Sequence, residues 1–146
     1  MGEIKVESRV RIACSASEVL AVLRDIAGQH EWWPGQYLST PLETDPDGLV
    51  TRSRIGNDVK IAKDEFEVVY THDSDGTGYS WVLAGPSTLQ RAQAGSWQVT
   101  PVGDGSDVTL RLVVDSTLPL PGFLLKKTLQ DTVNGATKGL RRRCES

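Results

Sequence analysis

From Pro119 to Arg143 the chain reads PLPGFLLKKTLQDTVNGATKGLRRR, and this segment constrains how the remaining residues can be arranged. The prolines suit the first turn of a helix. Apolar or small residues then fall on one helical face: Leu125, Leu129, Thr132, Val133, Ala136 and Leu140. The pattern predicts a helix of about twenty residues, roughly 30 Å long. Because its apolar stripe must be buried, the rest of the chain has to supply a second layer.

The N-terminal residues predict one strand followed by two short helices. Ile4–Ile12 alternates apolar with charged or polar residues, as in a strand with one solvated face. Ser15 and Glu18 then form a capping-box pattern, followed by apolar residues at helical spacing that end near Gly28. Residues 30–35, HEWWPG, predict an irregular turn or a single helical turn that ends before the proline.

From Tyr37 to Asp115 the sequence predicts six strands separated by turns rich in Gly, Asp and Pro. The first begins near Tyr37, and the others are 49–55, 59–70, 79–83, 89–99 and 108–114. Short connections of this kind favour hairpins and therefore an antiparallel meander.

The chain is therefore α+β, with a seven-stranded antiparallel sheet and a long C-terminal helix, and we expect residues 1–146 to form one domain. Long twisted strands make a sheet curl, so the helix can lie in the resulting trough. Toward the C-terminal half of the helix the inner face is small, with Thr132, Ala136 and Gly139. Such residues allow either a close helix–sheet contact or a hollow, and the sequence leaves both open.

The order of these elements, with SASEVLAVLRDI at 15–26, a tryptophan shortly after it and PLPGFLLKKTLQDTV near the C-terminus, resembles a known family. This is the polyketide cyclase/dehydrase and lipid-transport family of the START-like, Bet v 1-like (SRPBCC, helix-grip) superfamily. The resemblance covers essentially the whole chain. It implies a curved sheet wrapped around the last helix, with an internal cavity between them for a lipid, polyketide, sterol or isoprenoid.

Composition excludes several classes of function. Hydrophobic residues make up 38% of the 146 residues and charged residues 24%, which is typical of a globular protein. The net charge of −3 argues against a nucleic-acid partner. Without a signal-peptide pattern or a membrane-spanning run, a cytoplasmic location is expected, with Cys14 and Cys144 as free thiols. The histidine and cysteine spacings fit no metal site, and we expect no cofactor.

The tryptophan pair in HEWWPG allows two interpretations. Trp32 and Trp33 either close one end of the core or stand at the mouth of a binding cavity, and we expect Trp33 to be the inward ring. Aromatic residues on the strand faces can line the same space. The candidate cavity-lining residues are Trp33, Tyr37, Phe66, Tyr70, Tyr79, Trp81, Arg91, Trp97, Leu125, Leu129, Thr132, Val133 and Ala136.

The strand at 89–99 also allows two interpretations. In an unbroken alternation Arg91 shares the inward face with Gln93 and three apolar residues, and a buried guanidinium needs a carboxylate or a ligand anion. The alternative, which we favour, is a bulge at Gly95 that turns Arg91 to solvent and brings Ala92 and Ala94 inward.

A second change of phase occurs between Ile61 and Phe66. It predicts a bulge and leaves Asp64 or Glu65 as a candidate inward carboxylate, which could pair with an inward Arg91.

Three functional hypotheses follow. The first is binding or transport of a hydrophobic small molecule, and no catalytic residue is assigned to it. The second is a polyketide aromatase/cyclase, for which His30, Tyr70, Tyr79 and Arg91 are the available acid–base groups. The third is an interaction module that uses Arg141–Arg143 or an exposed tryptophan. Binding is the preferred hypothesis, by a monomer or homodimer that makes at most transient contact with a membrane surface.

Overall fold

The computed structural model describes residues 2–60 and 62–146, and its strands form one antiparallel sheet. In chain order the strands are β1 (Ile4–Ile12), β2 (Gln36–Thr44), β3 (Val50–Asp58), β4 (Lys63–His72), β5 (Gly78–Leu83), β6 (Gln90–Val102) and β7 (Gly105–Ser116). They are arranged β1-β7-β6-β5-β4-β3-β2, so a meander from β2 to β7 ends beside β1. The helices are α1 (Ala16–Arg24), a 3-10 helix (Ile26–Glu31) and α2 (Gly122–Glu145). The predicted α+β helix-grip architecture is confirmed.

The helical segment after β1 begins at the predicted capping box. The Ser15 hydroxyl accepts a hydrogen bond from the Glu18 backbone amide at 3.2 Å, and the Glu18 carboxylate accepts one from the Ser15 amide at 3.1 Å. These bonds satisfy backbone donors that the first helical turn leaves free. The Ser15 backbone amide and the Ser15 hydroxyl, which both donate to the Glu18 carboxylate, hold the pKa of Glu18 below its usual range. A 3-10 helix then carries the chain across one end of the sheet to the tryptophan pair.

Strand β3 extends further than the sequence predicted. The strand was expected to end at residue 55, but it continues to Asp58 and pairs with β4 from Arg54↔Glu67 to Asp58↔Lys63 without a register shift. The change of phase before β4 therefore lies in the connection between β3 and β4 and not in a bulge within their pairing. Ile61, on which part of that prediction depended, lies outside the described residues.

Helix α2 packs mainly on β1 and less on β7. Its buried residues belong to the C-terminal half and include Val133, Ala136 and Leu140, whereas Phe123 near the N-terminus is 74% exposed. A Cβ added to Gly139 would overlap the carbonyl oxygen of Trp32. The small residues of α2 therefore permit a close contact between the helix and the tryptophan segment at Gly139.

Candidate ligand-binding site

Three tryptophans meet where the segment after the 3-10 helix crosses the sheet. Trp97 on β6 is fully buried, and its ring lies 5.9 Å from Trp32 and 6.0 Å from Trp33, in edge-to-face geometry in both cases. Trp32 and Trp33 are themselves 6.1 Å apart and buried. Such contacts add to the free energy of burial, so the HEWWPG segment is anchored to the core by both rings.

The inner cavity lies between this segment and the concave face of β3 to β6. Its volume is about 30 Å³, enough for one or two water molecules. Apolar and polar side chains share its wall: Gln29, Trp33, Gln36, Ile55, Asn57, Phe66, Val68, Tyr70, Trp81 and Gln93. No residue of α2 contributes to it, so it is not the predicted cavity between the sheet and the helix.

An outer cleft of about 410 Å³ opens on the other side of the same segment. It lies between residues 30–36 and the C-terminal half of α2, where Gly139, Arg142 and Arg143 form one side. The Arg143 guanidinium donates to the Glu31 carboxylate at 2.7 Å and holds the pKa of that carboxyl below its usual range. The bridge ties the segment to α2 at the rim of the cleft.

Trp33 and Gln36 line both the inner cavity and the outer cleft. These two residues, called the shared wall below, therefore lie between the two spaces. The backbone amide of Gln36 donates to the backbone carbonyl of Trp33 at 3.1 Å, and this bond closes a turn through Pro34 and Gly35. Gly35 has φ +83°, a conformation that favours glycine.

Four of the predicted residues, Trp33, Phe66, Tyr70 and Trp81, line the inner cavity. Two others, Tyr79 and Trp97, are almost fully buried but do not line it. The Tyr79 hydroxyl instead donates to the Leu23 carbonyl at 2.8 Å and ties β5 to the end of α1.

Two predicted residues lie outside the interior, and those predictions are wrong. Tyr37 is 42% exposed because Gly56 leaves space for its ring on the outer face of the sheet, where its hydroxyl donates to Glu65 at 2.9 Å. The Arg91 side chain is 56% exposed and pairs with Asp115 at 3.2 Å.

Arg91 faces outward because of a bulge in β6, but this bulge is not at Gly95, where it was expected. The β6–β7 register shifts between Gln90 and Ala92, so Arg91 is turned outward. Beyond this bulge the alternation is unbroken, with Gln93, Gly95 and Trp97 facing the interior and Ala94 exposed. The predicted bulge at Gly95 is therefore absent, although its consequence for Arg91 was correct.

The predicted residues of α2 line neither space. Val133 and Ala136 are fully buried in the core, whereas Leu125, Leu129 and Thr132 are partly exposed along the helix. The reason is that α2 lies over β1 and β7, while the inner cavity lies toward the other edge of the sheet.

Of the groups considered for ring closure, Tyr70 and Tyr79 are brought together, with ring centroids 5.6 Å apart, but His30 and Arg91 are not. His30 lines the outer cleft, and Arg91 lies on the outer face. The Tyr70 hydroxyl bonds that of Ser53 at 2.7 Å, and burial raises the pKa of Tyr70 to about 12 despite this bond. Burial also raises the pKa of Tyr79 well above its usual value. Neither His30 nor Arg91 therefore lies with the two buried tyrosines.

Within residues 2–60 and 62–146, no group of three His, Cys, Asp or Glu side chains is placed to hold a metal ion. Cys14 and Cys144 are free thiols, as predicted, and burial is the main cause that raises the pKa of both. In the same ranges no helix has the length and hydropathy needed to cross a membrane.

The polar residues of the cavity wall were the main omission of the sequence analysis. Asn57 shares an alternation phase with Ser53 and Ile55, and this phase identifies the inward face of β3. Because the strand was expected to end at residue 55, Asn57 was not predicted to face inward. Gln29 and Gln36 bond each other at 3.1 Å, but no periodicity of the sequence marks them.

The curved antiparallel sheet, the long C-terminal helix and the cavity on the concave face define a START-like helix-grip domain. The sequence matches the model of the polyketide cyclase / dehydrase and lipid transport family over residues 3–145, and the chain belongs to this family. No curated protein matches the sequence.

Solved structures of similar fold come from several bacteria. A START superfamily protein from Mycobacterium smegmatis is 22% identical, with a TM-score of 0.88 over 97% of each chain. The ZhuI aromatase/cyclase from Streptomyces sp. R1128 is 15% identical, with a TM-score of 0.80 over 98% of this chain and 94% of that one. A STAR-related lipid transfer protein from Xanthomonas axonopodis is 22% identical, with a TM-score of 0.72 over 96% and 85%. At these identities the likeness shows the fold alone.

Proposed function

We propose that the protein binds a hydrophobic small molecule, of lipid, polyketide or isoprenoid type, where the inner cavity and the outer cleft meet. The observation that carries this proposal is that both spaces share Trp33 and Gln36 as a wall. A ligand that displaces the Trp33 ring would occupy both spaces at once, with apolar surface against Phe66 and Trp81.

The volumes support this mode of binding. The inner cavity of about 30 Å³ accepts only water, whereas the outer cleft of about 410 Å³ is within the usual range for small-molecule sites. Binding in the interior therefore requires the shared wall to move. Pro34 and Gly35, which connect Trp33 to Gln36, are exposed, and the Gly35 carbonyl accepts from the Asp58 backbone amide at 2.7 Å, so movement of the turn would break this bond to β3.

The family is consistent with binding and with catalysis, and the geometry of the site favours binding for this chain. The description of the family covers both lipid transport and polyketide cyclases. Two of the four groups considered for ring closure, His30 and Arg91, lie away from the inner cavity, whereas its wall combines apolar rings with a few amides, as is typical of binding sites.

The test is equilibrium binding of the neutral fluorescent probe N-phenyl-1-naphthylamine. We expect saturable binding at one site with a dissociation constant on the order of micromolar, as for a modest apolar ligand. The exposed apolar tip of α2 could also attract the probe, so Phe123→Ser serves as the control and should leave the affinity unchanged. Absence of saturable binding, or its loss in Phe123→Ser, would contradict the proposal.

A further inference from the structure

A chain of hydrogen bonds runs along the concave face and ends at a buried carboxyl group. Trp81 Nε1 donates to Gln93 Oε1 at 2.8 Å, and Gln93 Nε2 donates to Gln90 Oε1 at 2.5 Å. Gln90 Nε2 then donates to Asp64 Oδ2 at 3.2 Å, and the Ser87 hydroxyl donates to the same oxygen at 2.6 Å. Every donor in the chain is directed toward Asp64, which is therefore its terminal acceptor.

At the Asp64 end of this chain of hydrogen bonds, two side-chain oxygens receive no hydrogen bond from the described residues. Asp64 is 4% exposed, and its Oδ1 is buried without a hydrogen-bond partner among the described residues. Asn57 Oδ1 is buried and unpartnered in the same way. Asn57 and Asp64 are directly opposite in the β3–β4 ladder, so their side chains lie on the same face with Cβ atoms about 4.5–5.5 Å apart.

Such a pair is costly unless a donor is supplied from elsewhere. A buried acceptor without a partner loses its interaction with water and gains nothing in return. Arg91, the arginine that the sequence offered as a partner, pairs with Asp115 on the outer face. Asn57 lines the inner cavity, and Asp64, which does not, is linked to the cavity wall through Gln90 and Gln93.

We infer that Asn57 and Asp64, called the acceptor pair below, receive the hydroxyl or amine group of the ligand. The inference rests on the proposed function and specifies the ligand class: an apolar molecule with a hydrogen-bond donor at its inner end. The donor bonds Asp64 Oδ1 and Asn57 Oδ1, while the apolar body lies against Phe66, Trp81 and the displaced Trp33.

The same geometry disfavours an acidic ligand. A carboxylate at this position would bring a third set of acceptor oxygens against Asp64 and Asn57. Burial would strengthen the like-charge repulsion between the two carboxylates. The site therefore distinguishes phenols, alcohols and amines from fatty acids.

The test compares ligands that share one ring system and differ in one substituent. Naphthalene, 2-naphthol and 2-naphthoate are each competed against N-phenyl-1-naphthylamine. We expect 2-naphthol to bind about tenfold more tightly than naphthalene, since its hydroxyl bonds a charged acceptor. We expect 2-naphthoate to bind most weakly of the three.

Two isosteric variants on β4 assign the preference to the acceptor pair. In Asp64→Asn the advantage of 2-naphthol over naphthalene should disappear, while naphthalene binds as before and reports that the site is intact. In Glu65→Gln, which changes the adjacent carboxylate on the outer face, the advantage should remain. If Asp64→Asn does not fold, the order of the three affinities for the unchanged protein still tests whether the site prefers a ligand with a hydrogen-bond donor.

The outcomes separate this inference from the proposed function. If the probe binds but the three ligands compete equally, or if the advantage of 2-naphthol persists in Asp64→Asn, only the inference is overturned. If neither the probe nor any of the three ligands binds, the proposed function fails and the inference fails with it.

Discussion

Gly139→Ala is expected to destabilise the protein by about 3 kcal/mol, at the upper end of the usual cost of overpacking. For a chain of this length the corresponding fall in Tm is roughly 10 °C. A Cβ at this position would overlap the Trp32 carbonyl oxygen, so α2 and the tryptophan segment would have to separate. Separation loosens the contacts of Trp32 and Trp33 with Trp97, which anchor the segment. Thermal unfolding followed by circular dichroism measures the change.

Gly135→Ala is the matched control, one turn earlier on the same helix. A Cβ at Gly135 would lie 3.4 Å from Pro34 Cγ, an ordinary contact, and alanine favours a helix over glycine by about 1 kcal/mol. This variant should equal or exceed the stability of the unchanged protein. If Gly139→Ala is as stable as Gly135→Ala, the close contact between the Trp32 carbonyl and α2 is contradicted.

Trp33→Leu is expected to raise the association rate of N-phenyl-1-naphthylamine by at least about tenfold, equivalent to removing about 1.4 kcal/mol from the barrier. The reason is that the Trp33 ring separates the outer cleft from the inner cavity. A smaller side chain leaves a passage between the two spaces that the ligand no longer has to open. Stopped-flow fluorescence measures the rate.

Trp32→Leu is the control for this prediction. It removes the same volume from the neighbouring residue, which is buried to a similar degree and lines only the outer cleft. We expect it to lower the stability but not to accelerate association. Equal acceleration in both variants would indicate general loosening of the segment, and no change in Trp33→Leu would exclude the shared wall as the barrier.

The sequence was sufficient for the fold because its main signals are local. Alternation in Ile4–Ile12, the Ser15–Glu18 capping box and the apolar stripe of α2 each depend on residues close in sequence, and all three elements form as predicted. With short connections between the strands, these elements leave few arrangements other than a curled meander around a helix.

The site depended on contacts between distant residues, and there the predictions were less successful. The small face of α2 allowed a hollow or a close contact, and only the position of the Trp32 carbonyl, more than a hundred residues earlier, determines which occurs. In the same way, Gly56 places Tyr37 outside the sheet, and a bulge after Gln90 rather than at Gly95 turns Arg91 outward.

For Asp64, the local sequence pattern predicted the inward position but not the hydrogen-bond partners. The change of phase before β4 identified Asp64 or Glu65 as a candidate inward carboxylate, and Asp64 is buried whereas Glu65 is exposed. Its partners could not be predicted, because Ser87 and Gln90 reach it from the β5–β6 connection and the start of β6.

The most direct test of ligand binding behind the shared wall is ¹⁹F NMR of protein labelled with 5-fluorotryptophan. The chain has four tryptophans, so four resonances are expected, and each can be assigned by a Trp→Phe variant. Trp33 and Trp81 line the inner cavity, Trp32 lines only the outer cleft, and Trp97 lines neither. On saturation with 2-naphthol, we expect the Trp33 and Trp81 resonances to shift together and by more than the Trp97 resonance. A shift of Trp32 without Trp81, or no shift at all, would show that the ligand does not enter the interior.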